Sequence, residues 1–79
     1  PAVVAVSAKA LENAQAIESV LIQQGVVAIA KAGLTAEQVT LLRQTGVVVV
    51  TDVEQGSDVT FTQDTVEELA EKIVQLVRL

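Results

Sequence analysis

Three short runs of apolar, mostly β-branched residues restrict the fold of this chain more than any other sequence feature. The runs are Ala2–Val6, Val26–Ala30 and Val47–Val50. Because an uninterrupted apolar run of this length is typical of a strand buried on both faces, each run is predicted to be a strand of a mainly parallel sheet. Their Val-Val pairs begin at residues 3, 26 and 47, which favours consecutive strand–helix units over a solenoid of stacked repeats.

The segment between the first two runs has the spacing of a helix. Apolar residues recur three or four positions apart from Ala8 to Gln24. Ser7 precedes this segment and can cap its first turn, since a serine hydroxyl accepts a hydrogen bond from a backbone N–H there. Gly25 follows the segment and is predicted to end the helix by adopting a positive φ.

The clearest local signal is the start of a second helix at Thr35. Thr35 and Gln38 have the spacing of a capping box, and Leu34 and Val39 have that of a hydrophobic staple. This helix is predicted to end at Gly46. A final helix is predicted to begin at Asp64 or Thr65 and to reach Leu79.

The segment Asp58–Gln63 alternates between polar and apolar residues, which predicts a half-exposed edge strand. The preceding loop, Asp52–Ser57, contains Gly56 and is predicted to turn this strand back antiparallel to the third one. We therefore expect one α/β domain over residues 1–79 with the order β-α-β-α-β-β-α. It would have three mainly parallel strands, an antiparallel edge strand and three helices.

Composition argues against several classes of function. The 79-residue chain has no Cys and no His, so it lacks thiolate nucleophiles, disulfides and the usual general base. We expect no enzyme activity, no metal site and no cofactor. The net charge of -5, the five scattered cationic side chains and the single aromatic residue, Phe61, disfavour nucleic acid and anionic membranes as partners. The longest apolar runs have five residues, against about 20 in a membrane helix, so a soluble, cytoplasmic protein is the default expectation.

Polar residues after the predicted parallel strands form the candidate ligand site. In open α/β sheets, ligands collect at the carboxyl ends of the strands. The residues at these positions are Ser7, Lys9, Lys31, Thr51 and Asp52. They are compatible with an anion pocket at helix N-termini, but helix capping and solvated loop ends explain them more simply.

A second set of candidates consists of carboxylates in the loop that follows the third predicted strand. Asp52, Glu54 and Asp58 lack the spacing of an EF-hand calcium loop. We interpret this loop as solvated and assign no metal to it.

The chain has more apolar residues than a domain of its size readily buries. They make up 51% of the sequence, and the mean hydropathy is +0.51. The final helix is apolar over a broad face, and its candidate interface residues are Leu69, Ile73, Leu76, Val77 and Leu79.

These features favour a non-catalytic structural or interaction module. It would be a protomer of a homo-oligomer or a small subunit of a larger assembly. The alternative is a small-ligand or anion-binding domain that uses the strand ends. The absence of Cys, Met, His, Trp and Tyr is also compatible with a simplified or engineered sequence.

Overall fold

The computed structural model of the chain describes residues 2–78, and it confirms the α/β class predicted from the sequence. A 3-10 turn at Ala10–Asn13 precedes the first α-helix. The strands and helices are β1 (Val3–Ala5), α1 (Ala14–Gln23), β2 (Ala28–Ala30), α2 (Ala36–Gln44), β3 (Val48–Thr51), β4 (Val59–Thr60) and α3 (Val66–Arg78). β1 and β2 are shorter than the apolar runs that predict them, and β3 has the predicted length but begins one residue later.

All four strands of the sheet are parallel, in the order β2-β3-β1-β4. The predicted antiparallel edge strand is therefore wrong, because β4 pairs with β1 and runs in the same direction. β3 has β2 on one side and β1 on the other, so it offers no free edge to a strand that folds back on it.

Asp58 attaches β4 to the start of β1. Its backbone N–H donates to the Val3 carbonyl at 2.8 Å, and its Oδ2 accepts from the Val3 N–H at 3.0 Å. Because strands of three or four residues are only about 10 Å long, the loop after β3 can return the chain to this end of the sheet without a helix.

Each face of the sheet is covered by helices. On one face, Val4 and Val50 pack with the buried residues Ile17 of α1 and Ile73 of α3. On the other face, Val3 and Val49 pack with Leu34 and with Val39 of α2. The side chains of β1 and β3 are consequently almost inaccessible to solvent on both faces, and complete burial of one such side chain stabilises the fold by about 1.5–3 kcal/mol.

The structure confirms the sequence signals for the start of α2 and the end of α1, whereas α1 begins at Ala14, after the 3-10 turn, and not directly after Ser7. Thr35 Oγ1 accepts from the Gln38 N–H at 3.1 Å, and Gln38 Oε1 accepts from the Thr35 N–H at 2.9 Å, which completes the capping box. Leu34 and Val39 are buried in the same cluster, as a staple requires. Gly25, with φ of +83°, follows the end of α1. Among residues 2–78, no helix is long and apolar enough to cross a bilayer.

The capping box gives a direct test of how α2 is anchored. We expect Thr35→Ala to lower the free energy of unfolding by about 1 kcal/mol, because it leaves the Gln38 N–H without its side-chain acceptor. Thr40→Ala is the matched control, since the Thr40 hydroxyl only donates to the Ala36 carbonyl within the helix. Urea denaturation measures both values, and equal losses in the two variants would contradict a capping role for Thr35.

Candidate functional site

Because the sheet is entirely parallel, the carboxyl ends of all four strands lie along one edge. Several polar residues lie along this edge. Asp52 Oδ1 accepts from the Gly33 N–H at 3.2 Å, which brings the loops after β2 and β3 together. Lys9 and Lys31 are exposed. Thr51, in contrast, is fully buried at the end of β3, so its hydroxyl is out of reach of a ligand in solution.

The Ser7 hydroxyl makes two hydrogen bonds within the chain. It accepts from the Ala10 N–H at 3.1 Å, which caps the 3-10 turn, and it donates to Asp64 Oδ1 at 2.5 Å. Asp64 had no part in the predicted site. It lies 57 residues from Ser7, so no local pattern connects the two.

Carboxylates of the chain itself occupy two of the donors that an anion could use at this edge. Asp52 binds the Gly33 N–H, and Asp64 binds the Ser7 hydroxyl. Nearby in sequence, Gln63 Oε1 is a buried acceptor without a hydrogen-bond partner among the described residues. These groups together present oxygen acceptors, which is the opposite of what an anion requires.

The carboxylates of the loop after β3 are divided between the two ends of the sheet. Asp52 lies at the carboxyl ends of the strands, whereas Asp58 is bound to Val3 at their amino ends. Asp58 also forms an ion pair with Arg43 of α2, at 3.0 Å. Within residues 2–78, no three Asp, Glu, His or Cys side chains are grouped so that they could hold a metal ion.

The final helix uses most of its candidate interface residues to complete the core. Leu69 and Ile73 are fully buried, and Leu76 is partly buried against the same cluster. Val77 is 42% exposed. Of these two neighbouring residues, Leu76 therefore packs on the core and Val77 is turned towards solvent. Leu79 lies outside the described residues.

The most exposed large apolar side chains lie just before the edge strand β2 and on the helices before and after it. Val27, just before β2, is 69% exposed, Ile22 of α1 is 60% exposed and Leu41 of α2 is 58% exposed. The sequence did not indicate this surface, because the run Val26–Ala30 resembles an interior strand and a local pattern does not reveal strand order. The only feature of the sequence that pointed to an exposed apolar surface was the high content of apolar residues.

An open groove of about 310 Å³ lies on the α2 side of this edge. Six residues line it: Ile29, Lys31, Leu34, Gln38, Leu41 and Leu42. Lys31 is the one charged residue among these six, so the groove is mainly apolar. We call the surface formed by Val27, Ala28, Ile29 and Leu41 the β2 edge.

A second groove, of about 380 Å³, follows the seam between α1 and α3. Val20, Ala70 and Val74 provide its apolar lining, and Glu67, Glu71 and Arg78 are among its polar residues. Charges of both signs along this seam give it no clear preference for a ligand.

Comparison with protein-family models, with curated proteins and with solved structures returned no match for this chain.

The strand-end site leads to a test of the anion-binding alternative. We expect millimolar phosphate or sulfate to leave the melting temperature of the protein unchanged, because Asp52 already occupies the Gly33 N–H. The measurement is a thermal melt followed by circular dichroism, with chloride at the same ionic strength as the control. Stabilisation by phosphate that disappears in Lys31→Ala would instead support an anion site at the strand ends.

Proposed function

We propose that this chain is a non-catalytic interaction module that associates with copies of itself. The proposal is based on the exposed apolar side chains at the β2 edge. Val27 and Leu41 are each more than half exposed, and Leu41 lines the same groove as Ile29 of β2. Exposed apolar surface that is continuous, rather than scattered, is typical of protein–protein contact sites.

The arrangement of the polar residues also supports a non-catalytic role. Ser7 is the nucleophile candidate nearest to a lysine in sequence, but its hydroxyl caps a turn and bonds to Asp64. A serine nucleophile needs an adjacent base that is free to take its proton. An aspartate that accepts from the hydroxyl at a helix start is more simply a structural partner.

The charge of the chain determines how association should depend on salt. With a net charge of -5, two copies repel each other at long range. Salt screens this repulsion over a Debye length of about 8–10 Å at physiological ionic strength, whereas contact between apolar side chains is not weakened by it. Association should therefore strengthen as salt is raised from low to physiological concentration.

Light scattering coupled to size exclusion tests the proposal. We expect a species with a multiple of the 8.3 kDa chain mass, in a proportion that rises with protein concentration and with added NaCl. A monomer of 8.3 kDa under every condition, up to high micromolar concentration, would contradict self-association.

A further inference from the structure

We propose that a second copy of this chain pairs with the β2 edge in the antiparallel direction, about a two-fold axis through Ala28. Two four-stranded sheets would then form one continuous sheet. This inference rests on the proposed self-association and specifies its surface, its partner and its register.

The backbone of β2 alternates between groups bonded to β3 and groups that point away from the sheet. The Val27 carbonyl accepts from the Val48 N–H, and the Lys31 N–H donates to the Val50 carbonyl, both at 3.0 Å. In an edge strand, every second residue bonds to the neighbouring strand through its N–H and carbonyl groups. The N–H and carbonyl groups of Ala28 and Ala30 therefore point away from β3.

Glu18 of α1 determines which of these outward groups are free. Its Oε1 accepts from the Ala30 N–H at 2.7 Å, so that donor is already used. Ala28 keeps both its N–H and its carbonyl for a partner strand. A pair of Ala28 residues on the two-fold axis would exchange two hydrogen bonds that do not use the Ala30 N–H. Ala30 would then lie opposite Val26 of the other copy, and the ladder would end there, because Glu18 accepts from the Ala30 N–H and the Leu21 carbonyl accepts from the Val26 N–H. A register centred on Ile29 would require the Ala30 N–H and would displace Glu18.

The same register brings apolar side chains together. With Ala28 on the axis, Val27 of each copy lies opposite Ile29 of the other, on the α2 side of the sheet. Directly opposed side chains have Cβ atoms about 4.5–5.5 Å apart, close enough to bury one another. The pairing would cover Val27 and bring Leu41 of the two copies towards the joint, whereas Ala28 is too small to obstruct it.

A second copy fits this edge better than an unrelated peptide for two reasons. The β2 edge is self-complementary in the register described, since Val27 and Ile29 exchange places across the axis. The side chains that meet on the α2 side, those of Val27 and Ile29, are also uncharged, whereas Glu18 lies at the end of the pairing, at Ala30. Two-fold pairing of one edge is closed, so it ends at a dimer.

Two glutamate variants with the same charge change test the surface. Val27→Glu places a carboxylate against Ile29 of the second copy, and we expect the dimer dissociation constant to rise by about tenfold or more, the equivalent of about 1.4 kcal/mol. Ile22→Glu is the matched control, since Ile22 is similarly exposed but belongs to α1, and we expect a change of less than about twofold. Sedimentation equilibrium measures both constants.

A backbone variant tests whether the β2 edge pairs through its hydrogen bonds. Ala28→Pro removes an N–H that the β2–β3 ladder does not use, and proline is tolerated at such an edge position. We expect a folded monomer, with the fold checked by circular dichroism. If Ala28→Pro does not fold, Val27→Glu alone decides the question.

The outcomes separate the two proposals. A parent dimer that persists unchanged in Val27→Glu, or that is lost instead in Ile22→Glu, would overturn pairing through the β2 edge and leave self-association standing. A parent chain that is monomeric under every condition would overturn both.

Discussion

Two-sided burial of the short strands β1 and β3 is the constraint on which the rest of this structure depends. The side chains of Val3, Val4, Val49 and Val50 are fully buried, two on each face of the sheet. Strands this short contribute few backbone hydrogen bonds, so most of their stability has to come from packing on both faces. The helices are placed accordingly, with α1 and α3 on one face and α2 on the other.

The same constraint explains why β2 is exposed. Covering β1 and β3 on both faces uses the three helices, and β1 and β2 occupy the two edges of β3. β2 is then left at the end of the sheet, with Val27 outside the core and Ile29 in a groove that Leu41 also lines. The edge beyond β4 is different, because β4 has only two residues and offers little to pair with. The unequal edges give the molecule one surface suited to strand addition.

The features that could be predicted from the sequence are those encoded by neighbouring residues. The valine runs indicated three of the strands, and Thr35 with Gln38 indicated the start of α2. The direction of β4 could not be predicted, because it depends on the contact between Asp58 and Val3, which are 55 residues apart.

The residues of the candidate site could likewise be predicted only in part. The carboxyl-end rule correctly placed Ser7 and Asp52 at one edge of the sheet, but Asp64 and Glu18 were missed, since each binds a group distant in sequence. The β2 edge was missed because strand order is a property of the whole sheet. Amide hydrogen exchange, followed residue by residue by NMR at several protein concentrations, tests the account most directly. We expect the amide of Val49, in the buried strand β3, to exchange only through global unfolding. We expect the amide of Ala28, which would bond to a second copy, to exchange rapidly in dilute solution and slowly in concentrated solution. An Ala28 amide that exchanges equally fast at every concentration, or a Val49 amide that exchanges as fast as the helix ends, would contradict it.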